Sequence, residues 1–205
     1  MARWLLARHG ETEWNASGRL QGNVAVALSE AGRQQARALR ERLAATPIEV
    51  AYSSDLPRAV ETAEIISEGR PSLEGLHLCP ELRELSYGRW EGLSLDEVQA
   101  SDPDGLAALL RAEPDFAPPD GESLRALTQR IGAFADMARQ SPAATLLIVA
   151  HSGPLRALIL ELLGLPLTSF WQLHLSAASL SIVEVHPVGS VLELLNDTSH
   201  YRRVP

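Results

Sequence analysis

The chain has 205 residues, of which 45% are hydrophobic and 21% are charged. These proportions and this length are typical of one globular domain with a substantial core. The net charge of −8 argues against a general nucleic-acid binder, which would carry a basic face, so we expect no nucleic-acid partner. All eighteen basic residues are arginine, which excludes mechanisms that need a Schiff-base or Walker lysine.

The cysteine content and the apolar runs indicate the cellular compartment of the protein. Cys79 is the single cysteine, so no internal disulfide can form, as is usual for proteins of reducing compartments. No signal-peptide pattern is visible, and no run approaches the ~18 apolar residues of a membrane span. We therefore expect a cytoplasmic protein without a membrane partner.

The first predicted element is a short buried strand over residues 4–7, followed by Arg8, His9 and Gly10. The apolar run indicates the strand, and Gly10 indicates a turn. Ligands of open α/β sheets bind at the carboxyl ends of the strands, where an imidazole can act as nucleophile or base. An Arg-His pair that merely begins a surface turn is the alternative.

Residues 14–27 have no clear period and are interpreted as a loop over the site, with Asn15 and Gln21 as its polar candidates. A helix capped by Ser29 and a strand over residues 48–52 follow. The segment 53–58 then leads into another helix, for which we expect a Ser or Asp N-cap. Arg58 falls in the first turn of that helix, where backbone N–H groups also favour an anion. An ordinary surface arginine is the alternative.

A strand over residues 76–79 leads into the carboxylate-rich segment 80–92, whose lack of period indicates a loop that carries an acid near position 84. For Glu81 and Glu91 we favour solvated surface charge. Residues 94–120 predict two short helices and a proline-rich loop, an insertion that either covers a pocket as a lid or is decoration.

The second half of the chain repeats the opening arrangement. A regular helix is predicted over residues 121–140, and a continuous apolar strand over 145–150 ends at His151 and Ser152 before a helix at 155–163. A second histidine thus lies between a strand and a helix N-terminus. Strands at 178–185 and 191–195 predict an antiparallel hairpin. His77 and His186 have no comparable placement and are interpreted as structural.

The candidates together suggest phosphoryl chemistry. Arginines and a second histidine can neutralise phosphoryl oxygens, which leaves one histidine free to attack phosphorus and a glutamate to protonate the leaving alkoxide. No metal is needed, because arginine charges replace the cation of many phosphotransferases. A metal site is the competing use of histidine, but each histidine is accompanied by cations or small neutral residues rather than by further ligands.

Four segments resemble motifs of the histidine phosphatase superfamily, in the branch of cofactor-dependent phosphoglycerate mutases and related phosphatases. They are LARHGETEWN at residues 6–15, SSDLPRAVETA at 53–63, ELSYGRWEG at 84–92 and AHSG at 150–153. They occur in the family's order and span nearly the whole chain. The resemblance implies a three-layer α/β/α sandwich with a mostly parallel sheet and an antiparallel edge strand, in one domain over residues 1–205.

The resemblance also implies residue roles. His9 becomes the transient phosphohistidine and Glu84 the general acid, then the base for water. The implied phosphate ligands are Arg8, Arg58, His151, Asn15, Gln21 and the Ser152 backbone N–H. Many relatives have glycine at the position of Ser152, a change that a backbone contact tolerates. No cofactor and no metal are expected.

The expected function is hydrolysis of small phosphomonoesters, with a small phosphorylated metabolite as partner and a monomeric or homodimeric state. A phosphoglycerate mutase is the first alternative, but residues 101–120 contribute one arginine, Arg111, where a mutase needs more cations. A silent module that binds phosphorylated ligands is the second. The tail over residues 194–200 also resembles that of small phosphatases described as α-ribazole phosphatases.

Overall fold

The structure, a computed structural model, describes residues 1–201 and consists of one six-stranded sheet with helices on both faces. The strands are β1 (Ala2–Arg8), β2 (Val50–Ser53), β3 (Leu76–Leu78), β4 (Thr145–Ala150), β5 (Leu180–Val185) and β6 (Ser190–Asp197). The α-helices are α1 (Glu13–Ala16), α2 (Glu30–Arg42), α3 (Pro57–Ser67), α4 (Leu95–Ser101), α5 (Pro103–Leu110), α6 (Leu124–Arg139) and α7 (Ser152–Leu163). Three 3₁₀ turns lie at Pro80–Leu82, Gly88–Trp90 and Leu167–Gln172.

The sheet has the strand order β3-β2-β4-β1-β5-β6. The strands β1 to β4 are parallel to one another, whereas β5 is antiparallel to β1 and β6 is antiparallel to β5. The prediction of a mostly parallel sheet closed by an antiparallel hairpin is therefore confirmed. Strands β1 and β4 are adjacent, with Arg8 opposite Ala150, so the residues that follow them, His9 and His151, leave the sheet side by side.

Alternation along the central strands produces two hydrophobic cores, one on each face. In β1, Trp4 and Leu6 pack into the core that contains α6 and α7, whereas Leu5 and Ala7 pack into the core that contains α2 and α3. All four side chains are at most 1% exposed. Burial on both faces explains why β1 and β4 are continuous apolar runs, and the result is the predicted three-layer sandwich.

Several predicted boundaries shift for reasons of local chemistry. Helix α6 begins at Leu124 rather than near residue 121, because the Ser123 hydroxyl accepts from Ala126 N–H and caps it. The predicted Ser or Asp cap of α3 is wrong: its N-cap is Leu56, without a side-chain cap, and Pro57 occupies the first turn. The predicted loop over 14–27 contains the end of the short helix α1, which Thr12 caps.

The insertion over residues 94–120 contains the two predicted helices, α4 and α5, each with a side-chain N-cap. Val98, Leu106 and Leu109 are buried in the core that contains α6 and α7. The insertion is thus packed onto the body of the protein.

Candidate active site

His9 lies directly after β1, and its backbone is held on both sides. Its N–H donates to the carbonyl of Ala150, and its carbonyl accepts from Ala178 N–H, each at 2.9 Å. The imidazole is 2% exposed. Its Nδ1 donates to the carbonyl of Gly10 at 2.7 Å, and because a carbonyl can only accept, the proton is on Nδ1 and the lone pair is on Nε2.

Burial and the charges of Arg8 and Arg58 hold the pKa of His9 well below its ordinary range. The bond to the Gly10 carbonyl opposes this shift but does not cancel it. His9 is therefore a neutral imidazole at neutral pH, with an unprotonated Nε2. A buried neutral imidazole with a free lone pair has the electronic form of a nucleophile.

His151 is the counterpart of His9 on the neighbouring strand. Its ring is 5.0 Å from that of His9, centroid to centroid, and is fully buried. Its Nε2 lies 2.9 Å from the hydroxyl of Ser54, so the two histidines are restrained through different ring nitrogens. Burial and the charges of Arg58 and Arg8 keep the pKa of His151 well below its ordinary range.

Arg8 and Arg58 form the cationic part of the site. Arg58 is completely buried, and two of its nitrogens donate to the carbonyls of Val24 and Gly22 at 2.9 and 2.7 Å. Arg8 donates to the Leu175 carbonyl at 2.7 Å. Burial lowers the pKa of Arg58 to about 10 and also lowers that of Arg8, yet both remain cations at neutral pH.

Glu84 reaches the N-terminus of α7 from the loop after Leu82. Its Oε1 accepts from the N–H groups of Leu85 and Gly153 at 2.9 and 3.0 Å, and its Oε2 accepts from the Ser152 hydroxyl at 3.2 Å. A Cβ on Gly153 would lie 2.4 Å from Oε1. Only glycine therefore lets the carboxylate approach this closely.

The remaining predicted phosphate ligands are placed as follows. The Oδ1 of Asn15 accepts from Thr12 N–H at 3.1 Å in the capping box of α1. Gln21 is buried. Ser152 is the first residue of α7, and its hydroxyl bonds to Glu84, a contact that the sequence did not predict.

Sequence reasoning also missed the ion pair that supports the acid loop. Arg130 on α6 donates to both carboxylate oxygens of Glu122 at 2.7 Å and to the backbone carbonyls of Glu81, Arg83 and Glu84. Half-buried bidentate pairs are geometrically demanding, so Arg130 fixes the path of the chain at Glu84. The amphipathic pattern of α6 gave no signal for this contact.

Glu91 differs from the predicted solvated surface charge. Its Oε1 accepts from the N–H groups of Asn23 and Tyr87 at 3.0 and 3.2 Å, and the carboxylate joins the loop over the site to the acid loop. Glu81 is exposed, as predicted. His77 and His186 lie outside the site: His77 is against Tyr52, and His186 pairs with Glu184.

Unpaired polar atoms concentrate at the site. Within residues 1–201, seven buried side-chain nitrogen or oxygen atoms have no hydrogen-bond partner. Four of them are Arg8 Nε, Arg58 Nε, His151 Nδ1 and Gln21 Oε1. Because an unpaired buried polar atom costs about 1–3 kcal/mol, such a cluster indicates a binding site for a polar ligand, and its nitrogens favour an anion.

Two further searches covered residues 1–201. They contain no group of three or more His, Cys, Asp or Glu side chains arranged to hold a metal ion. None of their helices combines the length and apolarity that crossing a bilayer requires.

Comparison with known proteins assigns the family. The profile of the histidine phosphatase superfamily (branch 1) matches residues 4–198. The chain belongs to the histidine phosphatase superfamily. The predicted recognition, which rested on four short motifs, is confirmed over almost the full length.

Three similar proteins illustrate the range of this superfamily. Phosphoserine phosphatase 1 of Hydrogenobacter thermophilus is 33% identical over 203 residues, covering 98% of this chain and 94% of the relative. A relative from Cronobacter sakazakii named "Probable phosphoglycerate mutase GpmB" is 35% identical over 206 residues, covering 98% and 95%. The crystal structure of the alpha-ribazole phosphatase from Shigella flexneri superimposes with a TM-score of 0.86, at 29% identity and 96% coverage of both chains.

These comparisons confirm the predicted phosphoglycerate mutase-like fold and the prediction of a histidine phosphatase-type enzyme. The structure brings His9, His151, Arg8, Arg58 and Glu84 close together, and their roles in phosphate binding and catalysis stay a prediction. Ser54, Gly153, Arg130 and Glu122 are the supporting residues that the sequence did not predict.

Proposed function

We propose that the protein hydrolyses small phosphomonoesters through a phosphohistidine on His9. The observation that carries the proposal is the cluster of unpaired buried nitrogens of Arg8, Arg58 and His151 beside a neutral His9. A dianionic phosphoryl group would accept from all three nitrogens and repay their desolvation.

In the first half-reaction, His9 Nε2 attacks phosphorus while the bond from phosphorus to the leaving oxygen breaks. Arg8 and Arg58 stabilise the charge on the phosphoryl oxygens. In this scheme the Ser54 hydroxyl donates to His151 Nε2, so that the proton of the neutral ring is on Nδ1 and can be donated to a phosphoryl oxygen. Asn15 Nδ2, the Gln21 side chain and the Ser152 backbone N–H complete the proposed phosphate pocket.

Glu84 supplies the proton in this scheme. Its Oε1 is held by two backbone N–H groups, whereas Oε2 has a single hydroxyl partner, so Oε2 is the oxygen with room to exchange a proton. The proton on Oε2 passes to the leaving alkoxide. Water then attacks phosphorus, the bond to Nε2 breaks, and Glu84 takes the proton from the water.

We also propose that residues 94–120 cover the leaving-group side of the site. The ring nitrogen of Trp171 donates to the Leu109 carbonyl at the end of α5, which ties the insertion to the segment after α7. Trp90 and Phe116 stack at 6.0 Å between centroids and join this insertion to the acid loop.

Phosphoglycerate mutase activity has less support. A bisphosphate-dependent mutase must hold a second phosphate, but Arg111, the arginine of residues 101–120, is exposed and pairs with Glu113 at 2.8 Å. Release to water therefore remains the favoured second half-reaction.

The test is release of inorganic phosphate from p-nitrophenyl phosphate and from a panel of phosphorylated metabolites, in the presence of EDTA. We expect metal-independent turnover by the wild-type protein. A parallel incubation with 3-phosphoglycerate and its bisphosphate monitors 2-phosphoglycerate, which would indicate a mutase. Absence of turnover with every monoester would instead indicate a module that only binds phosphorylated ligands.

A further inference from the structure

Most arginines of this protein have a carboxylate partner. Of the sixteen within residues 1–201, twelve form an ion pair with Asp or Glu. The four that do not are Arg8, Arg58, Arg70 and Arg156. Arg70 donates instead to the backbone carbonyls of Ile66, Leu43, Thr46 and Arg40, which accounts for its guanidinium. Arg8 and Arg58 belong to the phosphate site, so Arg156 alone is left without an explanation.

Arg156 is held in place by its neighbours, but no carboxylate within residues 1–201 pairs with its guanidinium. Its Nε donates to the Leu173 carbonyl at 2.7 Å, and its guanidinium carbon lies 4.9 Å from the ring centroid of Trp171 and 5.7 Å from that of Phe170. The residue is half-buried, and within residues 1–201 the bond from Nε to Leu173 is the one hydrogen bond of its guanidinium. Two parallel N–H donors therefore remain on a preorganised guanidinium.

The position of Arg156 is on the acid side of the site. It lies three and four residues after Gly153 and Ser152, so all three share one face of α7, and those two residues hold the Glu84 carboxylate. Arg156 and Arg8 also donate to carbonyls of the same segment, at Leu173 and Leu175. Burial lowers the pKa of Arg156, and Tyr87 and then Glu84 oppose this shift electrostatically, which places both groups near the guanidinium.

Because Glu84 is proposed to protonate the leaving oxygen, a cation beside it faces the alcohol part of the substrate rather than the phosphoryl group. We propose that Arg156 determines specificity by binding a carboxylate on the alcohol part of the phosphomonoester, an inference that rests on the proposed phosphatase function. The planar fork of Nη1 and Nη2 matches two carboxylate oxygens. The substrate class is thus a phosphorylated hydroxy acid rather than a neutral phosphorylated alcohol.

The test compares O-phosphoserine with phosphoethanolamine, which differ by the carboxylate alone. We expect wild-type kcat/KM to be higher for O-phosphoserine, and Arg156→Gln to reduce the ratio of the two kcat/KM values by about 10- to 100-fold. Arg156→Lys keeps the charge without the fork and should retain an intermediate ratio. Arg37→Gln removes an exposed arginine of α2 that pairs with Glu30, and it should leave the ratio unchanged.

The proposal would be overturned if Arg156→Gln left the ratio of the two kcat/KM values unchanged. This holds whether both activities fall together or neither falls, because a purely structural role affects both substrates alike. A wild-type enzyme that prefers phosphoethanolamine would overturn it as well. Failure of the phosphatase function looks different, since the wild-type protein would then release phosphate from neither substrate nor from p-nitrophenyl phosphate.

Discussion

The two histidine turns of this protein occupy equivalent positions but are restrained in different ways. His9 follows β1 and His151 follows β4, and both rings are buried with a lowered pKa. The Nδ1 of His9 is bonded to the Gly10 carbonyl, which leaves Nε2 free, whereas His151 is bonded through Nε2. The position of a histidine after a strand therefore does not distinguish the proposed nucleophile from the proposed phosphate ligand. The two differ in which ring nitrogen is hydrogen-bonded to the protein.

The glycines after the two histidines differ in a parallel manner. A Cβ on Gly10 would lie 2.4 Å from the Gly32 carbonyl oxygen at the start of α2. A Cβ on Gly153 would lie at the same 2.4 Å from the Glu84 carboxylate. The first turn is thus packed against the backbone of the scaffold, and the second against a proposed catalytic side chain.

The largest expected effect is that of His9→Ala. If Nε2 is the nucleophile, phosphate release from p-nitrophenyl phosphate should fall by about 10³-fold or more, because the proposed acceptor of the phosphoryl group is then missing. Steady-state kinetics in EDTA measures this. His186→Ala, which removes a histidine paired with Glu184 outside the site, is the matched control and should retain activity.

His151→Ala should be less severe. It removes a phosphate donor but leaves the nucleophile, so we expect a loss of about 10²-fold in kcat/KM, the usual cost of one electrostatic contact to the transition state. The same assay measures it. A loss equal to that of His9→Ala would mean that the two imidazoles do not divide their roles as proposed.

The two glycines separate stability from activity. Gly153→Ala should lower kcat by about 10-fold or more, because the Glu84 carboxylate must move away from the new Cβ. Gly10→Ala should lower the free energy of unfolding by about 2 kcal/mol, because the backbone carbonyl of Gly32 cannot move away. Kinetics and urea unfolding of both variants measure this.

Gly132→Ala in α6, where a new Cβ meets nothing within 4 Å, is the control and should be neutral or slightly stabilising. Unimpaired kcat in Gly153→Ala would show that the close approach of Glu84 is unimportant.

Both histidines should make the stability of the fold depend on pH. Their folded-state pKa values lie below the unfolded value of 6.5, so the unfolded chain binds more protons. Their stabilising contribution is complete above pH 6.5 and decreases as the pH falls below it, by up to about 1.4 kcal/mol per pH unit for each histidine. Urea unfolding between pH 7 and 5 measures the slope, which His151→Ala should reduce; an unchanged slope would contradict the burial of a neutral ring.

Ser54→Ala should have the smallest effect. Removal of the hydroxyl frees the Nε2 of His151 but leaves the ring packed, so we expect a loss of about 3-fold in kcat/KM. The same kinetic assay measures it. An effect as large as that of His151→Ala would show that the tether, rather than the imidazole itself, supports phosphate binding.

The sequence predicted well those features that depend on contiguous residues. The apolar runs of β1 and β4 and the turn residues after them are contiguous, and together with the four motifs they indicated the sheet and the residues of the site. The contact between Glu84 and Gly153 joins residues 69 positions apart, and the Arg130 bond to the Glu84 carbonyl spans 46. Neither has a local pattern, because tertiary packing alone brings these partners together. The same holds for the start of α3, where the Ser54 hydroxyl contacts His151 and the Asp55 carboxylate pairs with Arg83, so neither side chain caps the helix.

The most direct test of the central claim is to trap the phosphorylated enzyme. Wild-type protein mixed with p-nitrophenyl phosphate is quenched at alkaline pH, where phosphohistidine survives, then digested and analysed by mass spectrometry. We predict one phosphoryl group on the peptide that contains His9, and none on the peptide that contains His151. A phosphoryl group on His151, or turnover without any phosphorylated histidine, would contradict the account.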